Sequence, residues 1–172
     1  MHQDRWSAYA NYTFVDATYQ STLTLQSPNS PFADADGNIF VRPGDHIPGI
    51  PAHRFKAGFD YNLTDAWKVG ADLNVIGSQY LIHDDSNQAA KVPACAVLNL
   101  HTSYQVTKDV EGVGTINNAL NQQYYAAGTF FDLGGFNNTN GRAGFPGTTL
   151  TDPRMVLPGA PFAAYAGVRI KL

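Results

Sequence analysis

From Phe55 onward the chain alternates apolar and polar residues, and such a pattern suits extended strands with one apolar face. Between Phe55 and Leu63 the odd positions are Phe55, Ala57, Phe59, Tyr61 and Leu63, and the even ones Lys56, Gly58, Asp60 and Asn62. From Trp67 to Gly77 the odd set Trp67, Val69, Ala71, Leu73 and Val75 faces Lys68, Gly70, Asp72 and Asn74. From Ala94 to Val106 the even set Ala94, Ala96, Leu98, Leu100, Tyr104 and Val106 opposes Asn99, His101, Ser103 and Gln105. The chain closes on Phe162, Ala164, Ala166, Val168, Ile170 and Leu172, alternating with Tyr165, Gly167, Arg169 and Lys171. Successive side chains of a strand point to opposite faces, so this period of two is the signature of a sheet. A first strand is expected from about Arg5 to Leu25, with Trp6, Ala8, Ala10, Tyr12 and Phe14 on one face. A further strand is expected from Val110 to Gln122, where Gly112 and Gly114 blur the pattern. The expected fold is all-β, with about six antiparallel strands in up-and-down order forming an open curved sheet.

The apolar face needs either a second sheet or lipid. A membrane-crossing helix needs roughly 20 apolar residues in a row, and the sequence has no such run. A transmembrane β-barrel needs only every second residue to be apolar, which fits a mean hydropathy of -0.23. Strands of about ten residues are long enough to cross at a tilt. The connections alternate in length. Asn62-Leu63-Thr64-Asp65 and Thr107-Lys108-Asp109 are tight turns of residues suited to them, whereas about Gln26–Pro51, Leu81–Pro93 and Gln123–Gly159 are long and rich in Gly, Pro, Asn and Asp. Short periplasmic turns and long extracellular loops are the rhythm of outer-membrane barrels. With the turns on the periplasmic side, Trp6, Tyr61, Trp67 and Tyr104 share one end of the apolar face, as interfacial aromatics do. A less regular outer ring would hold Phe14, Phe55, Tyr80 and Phe162. A soluble or surface-attached all-β ligand-binding module stays open as the alternative, because alternation by itself also suits a sandwich.

Other functions find little support. The net charge is -3 and the eleven Lys and Arg are scattered, so there is no concentrated basic face for nucleic acid. Cys95 is the one cysteine, which excludes an intrachain disulfide framework. No serine elbow, phosphate loop or paired-cysteine motif is present, so no enzyme activity and no cofactor is expected. His83, Asp84 and Asp85 form a possible ligand-facing loop. Neighbours on an extended chain point apart, however, and a solvated polar loop is the favoured reading over a metal site. His101, beside Asn99 and Ser103, reads as a hydrogen-bonded residue of the polar face. The opening MHQDRWSAYA shows no signal peptide, and an exported protein is therefore expected to have further sequence before it.

Three segments carry a family resemblance. PGDHIPGIPAHRFKAGFDY (Pro43 to Tyr61) resembles the proline- and glycine-rich descent into a late barrel strand of TonB-dependent outer-membrane receptors. INNALNQQYYAAGTFF (Ile116 to Phe131) is similar to the segment leaving their penultimate strand, and PGAPFAAYAGVRIKL (Pro158 to Leu172) to their last strand. The sequence departs from the family in having Leu172 where a terminal Phe is usual and Cys95 in place of a Tyr. The acidic loop reads His83-Asp84-Asp85-Ser86-Asn87.

The resemblance implies that residues 1–172 are the C-terminal segment of such a barrel, in the bacterial outer membrane. It implies uptake of a scarce nutrient such as an iron–siderophore complex. The implied partners are outer-membrane lipid, the rest of the barrel and its plug domain, a small-molecule ligand and the barrel-assembly machinery. TonB would be reached through an N-terminal part that this sequence does not contain. Gly167, Val168, Ile170 and Leu172 keep the glycine and alternating apolar positions of a membrane-assembly signal. Six strands cannot close a barrel, since the smallest outer-membrane barrels use eight.

Overall fold

The computed structural model describes residues 5–138 and 150–171. Ten strands are seen among them: β1 (Trp6–Phe14), β2 (Leu23–Gln26), β3 (Asn38–Val41), β4 (His53–Asn62), β5 (Trp67–Ile76), β6 (Cys95–Gln105), β7 (Val110–Asn117), β8 (Tyr125–Phe130), β9 (Arg154–Pro158) and β10 (Ala163–Ile170). A single short helix, α1 (Leu133–Asn138), follows β8. Six strands make one antiparallel sheet in the order β1-β4-β5-β6-β7-β10. The skipped strands pair with each other, β2 with β3 and β8 with β9, inside the long loops. With those pairs set aside, the sheet is up-and-down in chain order. Its outer strands, β1 and β10, each pair on one side only.

The register keeps the alternation in phase from strand to strand. Phe59 faces Ala8 on β1 and Ala71 on β5, Leu73 faces Leu98, and Leu100 faces Ile116. Ile116 in turn faces Ala164 on β10. The other face aligns Lys56 with Asn74, Asp72 with Asn99 and Glu111 with Arg169. A slip of one residue would exchange the faces of a whole strand, so the shared phase is a strong constraint.

The tight turns are closed by threonine hydroxyls. Thr64 Oγ1 accepts the N–H groups of Ala66 and Trp67 at 3.2 and 3.0 Å, and Thr107 Oγ1 those of Asp109 and Val110 at 3.3 and 3.2 Å. Side-chain oxygens that bond the backbone two or three residues on are a standard way to hold a short turn.

Two expected boundaries move. The first strand stops at Phe14 rather than near Leu25. Beyond it the chain runs against residues 44–52 in irregular pairing (Val15 N to Ala52 O at 2.9 Å, Ile47 N to Ala17 O at 2.9 Å), and Leu23–Gln26 leave to pair with β3. The strand expected to reach Gln122 stops at Asn117, because Asn118 turns the chain with φ +49°. Asn is among the few non-glycine residues that tolerate that conformation.

The core lies where a soluble protein would have no core. Among the described residues, Ile39, Val41, Leu81, Val92, Cys95 and Phe130 are the buried hydrophobic ones, and all except Cys95 belong to the long loops. On the sheet, Trp6, Phe59, Trp67, Tyr104, Val168 and Ile170 stand exposed. Leu73, Val75 and Leu98 are half-buried, shielded by the neighbouring strands of a continuous sheet.

Candidate functional site

The polar face of the sheet carries a connected network over a floor of glycines. Tyr9 Oη donates to Asp72 Oδ1 at 2.7 Å. His101 stands between two carboxylates, with Nε2 2.8 Å from Asp60 Oδ1 and Nδ1 3.3 Å from Asp72 Oδ2. Lys68 Nζ reaches the same Asp60 oxygen at 3.2 Å. Glycine is required beneath this network. A Cβ at Gly58 would fall 2.1 Å from the Tyr9 ring, and one at Gly70 2.2 Å from His101 Nε2. Rings laid over strand glycines restore packing that the missing side chain would otherwise provide. At the edge, Arg169 donates to Glu111 across β7 and β10 at 2.7 Å.

At the opposite end from the tight turns, three loops meet: residues 15–52, 77–94 and 118–162, the last described as far as 138 and again from 150. Every polar member of the 83–85 triplet has a different destination. Asp84 is fully buried, and its carboxylate accepts the N–H groups of Gln88 and Ala89, both at 3.0 Å. Burial pushes that carboxyl above the usual range, with the two N–H bonds opposing the shift. Asp85 accepts the Tyr19 hydroxyl at 2.5 Å. Burial first, and this bond second, push the Tyr19 phenol up to about 12. His83, at φ +72°, lies 3.2 Å from Thr129 Oγ1. The three side chains therefore do not converge, and among the described residues no group of three or more His, Cys, Asp or Glu is placed to hold a metal ion. Farther along, Arg154 grips Asp152 through two nitrogens and holds its carboxyl down to about 2.

The four aromatics expected at the interface sit together beside the turns. Trp6 faces Tyr61 and Trp67 faces Tyr104 across strand pairs. The Trp67 and Tyr104 rings meet edge-on at 6.4 Å, and Trp67 Nε1 donates to Thr102 Oγ1 at 2.9 Å. An indole that finds a partner for its N–H can rest in an apolar setting. In the outer ring, Phe14 packs on His53 at 5.2 Å, while Tyr80 turns into the loops against His46, with Lys91 Nζ 4.3 Å above its ring. On β10, Gly167 faces Val113 on the polar side and Val168 and Ile170 stand on the apolar side. Leu172 lies outside the described residues.

Alternation did not reveal Asn118, which is almost fully buried. Its N–H meets Asn99 Oδ1 at 2.9 Å, and its Nδ2 donates to Gln122 O and Ala160 O at 2.9 and 3.0 Å. It ties the exit of β7 to β6 and to the approach to β10. The asparagines of INNALNQ were the available signal.

A depression of about 740 Å³ lies mainly on the apolar face, lined by residues such as Phe59, Trp67, Leu100, Ile116 and Ala166. Most of its walls belong to the face that the register aligns for lipid, with Gly70, His101, Thr115 and Tyr165 of the other face at its margin, which speaks against a ligand pocket.

A strand set of this length, with an exposed apolar face, turns at one end and a loop cap at the other, defines a segment of outer-membrane barrel wall. Over residues 2–121 the sequence matches the family described as "TonB dependent receptor-like, beta-barrel", and the chain belongs to that family. Its members are transporters of the bacterial outer membrane rather than enzymes. Solved structures agree in fold. The siderophore receptor PiuA from Acinetobacter baumannii aligns over 98% of this chain with a TM-score of 0.69 at 17% identity. The ferric-catecholate import receptor Fiu from E. coli K12 aligns over 98% with a TM-score of 0.63 at 19% identity. The copper transporter OprC aligns over 99% with a TM-score of 0.56 at 14% identity. The chain spans about a fifth of the length of each of these structures, 20%, 19% and 21%. No curated protein sequence matches it.

Proposed function

We propose that residues 1–172 supply the C-terminal wall and surface loops of a receptor that imports a scarce nutrient, such as an iron–siderophore complex, in a TonB-dependent way. The observation that carries this reading is the family match over residues 2–121, on a sheet whose apolar face leaves Trp6, Phe59, Trp67, Val168 and Ile170 exposed. Structural neighbours described as siderophore, ferric-catecholate and copper transporters support a metal-complex cargo. In this reading the polar face lines the barrel interior against a plug domain, and the loop cap meets the small-molecule ligand, His83 and Asp85 included. TonB acts on a part of the protein outside this chain. Gly167, Val168, Ile170 and Leu172 serve the barrel-assembly machinery, and Trp6, Tyr61, Trp67 and Tyr104 anchor the periplasmic interface.

Uptake of iron-loaded siderophores by cells that carry or lack the full-length gene tests the cargo. Loss of uptake on deletion, restored by the intact gene only when TonB is functional, is the expected result. Unchanged accumulation of every iron or copper chelate after deletion would contradict it.

A further inference from the structure

We propose that residues 15–52 of the first loop, 77–94 of the second and β8 of the third form one mechanical unit, with residues 77–94 as its keystone, so that a disturbance at β8 is felt in the first loop. The first and third loops both fasten to the middle one. On one side Asn87 clasps His46 in both directions: its Oδ1 accepts the His46 N–H at 2.6 Å and its Nδ2 donates to His46 O at 2.9 Å. Ser27 Oγ donates to His83 O at 2.8 Å, Tyr19 to Asp85 at 2.5 Å, and Gly49 N to Tyr80 O at 3.0 Å. On the other side Ile82 N donates to Gly128 O at 2.8 Å, beside a bridge between Ile82 and Thr129. Leu81, Val92 and Phe130 bury one another there. The fit is close enough that a Cβ on Gly128 would lie 3.0 Å from Val92.

The keystone is itself preorganised. Asp84 closes the 84–89 turn from within, which frees Asp85 and Asn87 to reach outward to the first loop. Loops moving as separate flaps would each need their own packing. Here, a buried apolar cluster is shared between two loops, and buried polar side-chain atoms among the described residues all have partners. Packed side chains and hydrogen bonds that run continuously between two regions can carry coupling between them.

Hydrogen exchange on the full-length receptor in outer-membrane vesicles tests this. The probes are amides bonded within the first loop and remote from Phe130: Tyr19 to Asp45, Gly44 to Tyr19 and Ile47 to Ala17. Phe130→Ala is expected to speed their exchange by about tenfold, while amides of β5 and β6 keep their rates. Thr129→Val, which removes the hydroxyl shared with Ile82 O and His83, should do the same with smaller amplitude and serves if the alanine variant does not assemble. Faster exchange confined to residues 77–94 and 123–130, with the first-loop probes within about twofold of wild type for whichever variant assembles, would overturn the proposal.

Discussion

In the sheet, Val168, Ile170 and Trp6 stand 68%, 64% and 62% exposed, while in the loops Ile39 and Val41 are fully buried. A soluble domain shows the reverse, with strands around the core and loops in water. The difference follows from the solvent of each region. Strands in lipid satisfy their backbone groups through the ladder and gain nothing by hiding apolar side chains from hydrocarbon. Loops that leave the bilayer face water, and long ones stay ordered only by burying apolar groups of their own.

Charge placement should separate the faces most sharply. Leu98→Arg puts a cation in mid-strand on the apolar face, at a cost of about 2–4 kcal/mol near the bilayer centre. Asn74→Arg, on the polar face, should change stability far less. Unfolding of the full-length barrel from lipid vesicles gives both values, and equal losses would erase the distinction between faces.

Loop packing comes next. Asn118→Ala removes the bonds that its side chain makes to Gln122 N–H and to Ala160 O, at about 0.5–1.5 kcal/mol for each hydrogen bond lost. The damage should appear in the loops and the start of β10, read by protease sensitivity of the surface in intact cells, with β4 and β5 unaffected. A wild-type cleavage pattern would argue against its role as a tie.

The smallest effect is a titration. Tyr19 is shifted from an ordinary 10.0 up to about 12. Because its folded value is raised, the bond to Asp85 contributes fully below pH 10 and is lost as pH rises through about 12. The ultraviolet titration difference between wild type and Tyr19→Phe should therefore show one late tyrosine. A missing residue that titrates at the ordinary value would remove the bond from the loop account.

The two regions were not equally legible. Period two marked β4, β5, β6 and β10 nearly to the residue, because lipid on one face and polar groups on the other impose the alternation on each strand. The same rule placed Trp6, Tyr61, Trp67 and Tyr104 at one end. In the loops no such rule applies. The pairs β2-β3 and β8-β9 have strands of four to six residues, too short for alternation to stand out. Asp84 reads in sequence as one of three polar loop residues, and its burial shows only once the chain folds back so that the Gln88 and Ala89 N–H groups meet its carboxylate. Tyr80 resembled an interfacial aromatic by position, yet the His46 and Lys91 contacts that draw it inward come from distant chain and the far side of its own loop.

The most direct test of a lipid-facing sheet is a label walked along β5. With Cys95 replaced by alanine in the full-length receptor, single cysteines from Lys68 to Val75, Gly70 excepted because a Cβ there would strike His101, can each carry a spin label in reconstituted vesicles. The sheet described here gives a period of two. Labels at 69, 71, 73 and 75 should collide with oxygen dissolved in the bilayer, and those at 68, 72 and 74 with a water-soluble relaxant. Walking β4 should show Phe55, Ala57 and Phe59 in phase with that pattern. Uniform accessibility along β5, or oxygen contact at the even positions, would contradict the account.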